Sequence, residues 1–331
     1  MTIRITFLSL LMLVLLSDGN SQDTSKGMEK NKTNPLLCNP EVGICEIPGN
    51  NVANGTTSVP AVAKPVKIIY FTDPICSSCW GIEPQLRRLK LEYANSIEIE
   101  YHMGGLLPDW SYNSGGISKP SDVAHHWDEV SLHYDMPIDG DVWLEDPLDS
   151  SYPPSIAFKA AQMQDAHKAI LFLREIRHMV FLEKKNITKW EHLSAAAVAT
   201  GLDTAQLKHD YDNDARKAFQ QDLELGRKLG VRGFPTLLFS DTSGNQVKVY
   251  GVKPYQQFEN AVMALHPEAL KLQYVQTWEG LFAQYPTLTT REYAVLSGVD
   301  RQSAEQQLLE LEKKGNITRY STKNGVLWRV K

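Results

Sequence analysis

The sequence predicts an α/β fold organised around one strand–helix junction, and three features carry that prediction. Val66-Lys67-Ile68-Ile69-Tyr70-Phe71 is apolar and rich in β-branched and aromatic residues, the composition of a buried strand. It leads into Cys76-Ser77-Ser78-Cys79, after which residues 80–90 carry the apolar spacing of an amphipathic helix. Far downstream, Gly233-Phe234-Pro235-Thr236-Leu237-Leu238-Phe239 reads as a strand headed by proline. Proline donates no hydrogen bond to a ladder, so it belongs at a strand start or a sheet edge.

In order, the elements read β-α-β, then helices, then β-β-α. Residues 96–103 alternate apolar and polar side chains as a half-buried strand does, and Gly104-Gly105 ends it. Residues 108–120 form a loop rich in Gly, Ser, Trp and Tyr. From 121 to about 229 the apolar spacing is mostly helical, as in 157–163 and 170–176. Residues 236–240 and 246–250 pair as a hairpin around Ser243-Gly244-Asn245, and 255–265 is a closing helix. A cysteine pair at a strand–helix junction, with a proline-headed strand after it, specifies a thioredoxin-like fold, in which that proline is cis and faces the cysteines. This unit spans 66–267 and carries a large helical insertion at about 117–229.

Residues 268–331 read as a second, smaller module: a helix at 289–298, a helix at 301–314, and a hairpin of 317–320 with 326–330 around Asn324-Gly325. The order is winged-helix-like. The second helix sets Asp300, Glu305, Glu310 and Glu312 against Arg301, Lys313 and Lys314, a poor match to a phosphate backbone. A protein-contact or packing module is expected, with no nucleic-acid partner. It carries its own apolar set, so truncation before about Thr277 is expected to leave the redox fold intact.

The chain has 331 residues, 42% hydrophobic, which leaves room for a sizeable core plus the extra module. A net charge of −5 also argues against nucleic-acid binding. Its four cysteines, in two close pairs, are too few for a disulfide-stapled scaffold. Residues 1–22 read as a signal peptide: Arg4, an apolar run at 7–16, then small and polar residues. The run is shorter than the ~20 residues that span a bilayer. Export to the periplasm or cell envelope, with no integral membrane span after leader removal, is one expectation. A cytoplasmic chain starting at Met28 is the other. Residues 23–65 form a polar, mobile N-terminal arm. Within it, Cys38 and Cys45 flank a turn-rich loop, and three readings stay open: a second disulfide, two free thiols, or a zinc site shared with Cys76 and Cys79. His125, His126 and His133 fall on different faces or turns of one helix and suit surface or packing roles. No other metal site and no cofactor are expected.

The cysteine pair carries the chemistry. Cys76 opens the first turn of a helix, where unpaired N–H groups and the positive dipole end favour a thiolate. It is the candidate nucleophile, and Cys79, one turn on, the resolving thiol. Phe234 and Pro235, with Trp80, are expected to shape a groove for an extended peptide. Asp73, three residues before Cys76, either caps the turn or accepts a proton from Cys79 during exchange.

Phe71-Thr72-Asp73-Pro74-Ile75-Cys76-Ser77-Ser78-Cys79-Trp80-Gly81-Ile82-Glu83-Pro84, with Leu89-Lys90-Leu91-Glu92-Tyr93, resembles the DsbA-like proteins that include FrnE. It resembles still more the SpxH (YjbH) branch, whose Gram-positive members are adaptors for the ClpXP protease. The resemblance covers about residues 66–331 and implies a thioredoxin fold with a helical insertion. Two functions follow from it. One is a DsbA-type thiol–disulfide oxidoreductase acting on protein disulfides through Cys76 and Cys79. The other is an SpxH-like adaptor that delivers a partner protein to ClpXP, with the cysteine pair dispensable. Either way the partners are proteins, met by disulfide exchange or groove binding. The arm departs from the adaptor pattern, since it lacks a histidine-rich segment and offers Cys38 and Cys45 instead.

Overall fold

The computed structural model describes residues 45–46, 64–111 and 119–331. The expected signal peptide, the Met28 start and Cys38 lie outside the described residues. Chain order begins with β1 (Cys45–Glu46), β2 (Val66–Thr72), α1 (Ser77–Gly81), α2 (Glu83–Glu92) and β3 (Ile97–Met103). β2 and β3 are parallel, with Val66 opposite Ile97 and Thr72 opposite Met103. The single helix expected after the cysteines is two helices. Pro84 stands in the first turn of α2, where its missing N–H costs nothing, and the chain turns at Ile82, whose N–H bonds the Ser78 carbonyl.

The insertion is helical, as expected. It comprises α3 (Ser121–Tyr134), α4 (Val142–Glu145), α5 (Tyr152–Gln164), α6 (Ala166–Phe181), α7 (Trp190–Ala199), α8 (Thr204–Asp212) and α9 (Asp214–Lys228). Asp165 and Asp203 cap α6 and α8 by accepting from two backbone N–H groups each. Phe158, Phe172, Phe181 and Phe219 from these helices are fully buried in one core with Val66, Ile68 and Tyr70 of β2.

β4 (Gly233–Phe234), β5 (Thr236–Asp241), β6 (Gln246–Tyr250) and α10 (Tyr255–Leu265) close the unit. The main sheet runs β3-β2-β5-β6, and β5 lies antiparallel to β2 with Thr236 opposite Phe71. The β5–β6 turn needs a left-handed residue and has one in Gly244, at φ 86°. One pairing was not expected: β1 runs antiparallel to β4, Cys45 opposite Phe234 and Glu46 opposite Gly233.

The C-terminal module adds α11 (Trp278–Gln284), β7 (Thr287–Thr289), α12 (Thr290–Ser297), α13 (Arg301–Lys313), β8 (Ile317–Thr322) and β9 (Gly325–Val330), with sheet order β7-β9-β8. Leu281, Phe282, Leu288, Tyr293, Leu296, Leu308 and Trp328 form a core of its own. The expected separability does not follow from it. Glu292 of α12 is wholly buried and receives both Nη atoms of Arg174 from α6, at 2.9 and 2.8 Å, and Arg87 Nε of α2 at 3.3 Å. Arg87 also donates to the Thr287 carbonyl at 2.8 Å, and Asn324 Nδ2 donates to the Ile138 carbonyl at 2.8 Å. The module is keyed into the larger unit by buried charge.

Candidate functional site

Cys76 is the N-cap of α1. Its backbone is extended, its carbonyl accepts from Trp80 N–H, and its Sγ accepts from Cys79 N–H at 3.1 Å. Cys76 and Cys79 form a disulfide, with Cα atoms 5.2 Å apart. Both residues are 0% exposed. In this state the pair is bonded and closed to solvent. Part of the cover is α3: Tyr134 packs its ring on Gly81 and its hydroxyl lies 2.9 Å from Ser78 Oγ. Burial pushes the Tyr134 phenol up to about 12, so it stays neutral beside the pair.

Asp73 is also wholly buried. Its Oδ1 accepts from Ile75 N–H at 3.0 Å, which makes it a cap of the turn before α1. Its Oδ2 accepts from Leu106 N–H at 2.8 Å and from Ser151 Oγ at 2.9 Å. One carboxylate thus ties the cysteine turn to the loop after β3 and to the start of α5. Burial raises its pKa from 3.8 to about 6, against the pull of those hydrogen bonds.

Arg177 was missed from the sequence. It is buried on α6, donating to Thr72 Oγ1 at 2.6 Å, to the Asp73 carbonyl at 3.2 Å and to Glu83 Oε1 at 2.7 Å. It clamps the end of β2, the cysteine turn and the start of α2 from within the insertion. A signal was present, because Arg174 and Arg177 interrupt the apolar stripe of Ile170, Leu173, Ile176 and Val180. A charge on a buried face needs partners, and these two have them.

The aromatic site residues are interior. Trp80 is 0% exposed, donates Nε1–H to the Pro137 carbonyl at 3.1 Å, and lies between Phe181 and the Arg174 guanidinium. It packs in the core rather than along an open groove. Phe234 is likewise buried, with its ring against Gly104. Behind it lies a cavity of about 140 Å³. The Phe234–Pro235 peptide bond is cis. Because Thr236 stands opposite Phe71, Pro235 and the cysteine turn emerge at the same end of neighbouring strands. A larger cavity of about 620 Å³, lined by Arg87, Lys90, Tyr101, Arg174 and Tyr285 among others, lies among α2, β3, α6 and the segment Gln284–Thr287 of the C-terminal module, and no cysteine lines it. Among the described residues, no group of three or more His, Cys, Asp and Glu could hold a metal ion, and no helix is long and apolar enough to cross a membrane.

The family model described as Thioredoxin matches residues 70–260. The ClpXP adapter protein SpxH of Halalkalibacterium halodurans is 34% identical over 309 residues, covering 91% of this chain and 98% of that protein. The chain belongs to the thioredoxin family, on the SpxH branch of its DsbA-like members. The SpxH of Bacillus subtilis is 28% identical over 271 residues, covering 80% of this chain and 89% of its own length. A candidate protein disulfide isomerase of Nitrosomonas europaea superposes with a TM-score of 0.51 at 20% identity, covering 61% of this chain and 95% of that one. This last likeness is one of fold.

Proposed function

We propose that this chain is an adaptor of the SpxH type, which holds a partner protein and delivers it to the ClpXP protease. The observation that carries the reading is the extent of the SpxH match, which takes in 98% of that adapter and 91% of this chain. The family model for the redox unit alone stops at residue 260, before α11. The buried charge that keys the C-terminal module to α2 and α6 supports a single binding body built from both parts. The 0% exposure of Cys76 and Cys79 supports recognition over turnover. The adaptor works where the protease is, so the form starting at Met28 is the one this reading expects.

The runner-up is a DsbA-type oxidoreductase with Cys76 as nucleophile and Cys79 as resolving thiol. It is favoured by the placement of Cys76 as the N-cap of α1, its Sγ accepting from Cys79 N–H. One comparison separates the two. A protein captured from the native host by the parent chain is incubated with ClpXP, with and without the chain and with and without Cys76→Ser/Cys79→Ser. Insulin reduction is followed in parallel. The adaptor reading expects faster degradation of the captured protein with either form and little insulin turnover. Unchanged degradation, with cysteine-dependent catalytic turnover of insulin, would establish the oxidoreductase instead.

A further inference from the structure

We propose that the cavity of about 620 Å³ among α2, β3, α6 and residues 284–287 binds a small amphiphilic anion, a carboxylate with an apolar tail, whose head group meets Lys90. This goes beyond the adaptor reading and does not rest on it. The sequence builds the walls by period. β3 lends Ile97, Ile99 and Tyr101, alternate residues on one face of a strand. α6 lends Ile170, Leu173, Arg174 and Arg177, which helical spacing sets on one face. The lining is therefore part apolar and part cationic, and its volume falls within the ~300–1,000 Å³ of small-molecule sites.

The charges around the space do not pair off. Arg177 Nη1 lies 2.7 Å from Glu83 Oε1. Arg174 Nη2 and Arg87 Nε lie 2.8 and 3.3 Å from the Glu292 carboxylate. Two carboxylates thus serve three guanidinium groups, and Lys90 of α2 joins none of the described ion pairs. Its ammonium carries three N–H donors. The one described hydrogen bond it makes goes to Tyr101 Oη, 2.7 Å away. Two further carboxylates line the cavity. Glu175 stands 3.3 Å from His178 Nδ1, with Arg329 and Lys185 acting on it, and Glu98 is matched in number by Lys64.

Lys90 therefore faces the cavity with donors unspent and no counter-charge of its own. Burial lowers its pKa, and the positive charges of Arg87 and Arg177 push the same way. An anion brought to Lys90 offsets both effects, since a desolvated charge is stabilised by a partner that bonds it. A tail laid on Ile97, Ile99, Ile170 and Leu173 removes apolar surface from water. Residues 284–287 belong to the C-terminal module, and Arg87 already donates to the Thr287 carbonyl. An occupant would touch the module and the larger unit together.

The full chain is titrated by calorimetry with octanoate, 1-octanol and octyltrimethylammonium, three ligands with one tail and different heads. Octanoate is expected to bind saturably, about tenfold or more tightly than either of the others. It is also expected to slow hydrogen exchange in peptides covering 97–101 and 284–287. Lys90→Met should weaken octanoate about tenfold or more and leave 1-octanol unchanged, and Lys90→Arg should keep octanoate within about threefold of the parent. Octanoate that fails to saturate, that binds no better than the other two, or that protects only peptides away from this cavity overturns the proposal. Those outcomes are read on the parent chain, so they stand even where Lys90→Met fails to fold. Octanoate binding unchanged in a folded Lys90→Met overturns it as well.

Discussion

At the scale of residues, the cysteine turn is held by ionisable groups that have given up water. Asp73 spends all of its described hydrogen bonds on structure: the N–H groups of Ile75 and Leu106 and the Ser151 hydroxyl. Its pKa rises from 3.8 to about 6. A raised carboxyl makes its stabilising contribution below its unfolded pKa and loses it as pH climbs through the folded one. Stability is therefore expected to fall between about pH 4 and pH 6, by about 3 kcal/mol at one pKa unit per ~1.4 kcal/mol, and then to level off. Asp73→Asn removes that slope and sets an amide donor against a backbone donor, a cost of about 1–3 kcal/mol at low pH. Melting curves of parent and variant should converge as pH rises from about 4 to about 6.5. Parallel curves would mean that Asp73 does not titrate there. Cys76, Cys79, Pro235 and Asp73 could all be picked out in the sequence from their placement at the strand–helix junction and strand start, although Asp73 carried two readings there. Arg177 was not picked out, because its partners Thr72 and Glu83 lie about a hundred residues away along the chain and meet it only after folding.

At the scale of elements, close approach decides what each position tolerates. A Cβ built on Gly104, at the end of β3, would lie 1.7 Å from Phe234 Cζ. Gly104→Ala is thus expected to push Phe234, and β4 with it, at a cost of about 1–3 kcal/mol or more. Phe234→Ala alone should cost about 3–5 kcal/mol. The double variant should cost clearly less than the sum, since each change removes what the other strains. Urea unfolding of the three variants measures the coupling, and simple additivity would place the Phe234 ring elsewhere. The long periodic segments, such as β2, α5, α6, the β5–β6 hairpin and α10, could be read from pattern. The short ones could not. β1 and β4 have two residues each and no period to detect, and β7 has three. The break between α1 and α2 was in principle visible at Pro84.

At the scale of the whole molecule, the C-terminal module is the part whose sequence misleads. Its apolar residues suffice for a small core, which suggests a unit that could be removed. Glu292 reads locally as the third residue of a capping box, and it does fill that role, accepting from Thr289 N–H at 2.7 Å. Its second role, as counter-charge to Arg174 and Arg87 across the boundary, has no local signature. Burial works against the Glu292 charge, yet the two guanidinium groups hold its pKa below the ordinary value, so the pair is ionised. Removing one partner of a buried pair leaves the other unpaired, at about 3–5 kcal/mol. Glu292→Gln is therefore expected to lower stability by about that amount, and Glu292→Gln with Arg174→Met to recover much of it. Truncation before Thr277 should do more harm than the point change, because it strands Arg174 and Arg87 together and uncovers α2. The parent chain should unfold in one transition, with β2 and β9 losing hydrogen-exchange protection at the same denaturant concentration. Loss of β9 protection well before β2, together with a truncated chain that melts like the parent, would show that the module is an appendage after all.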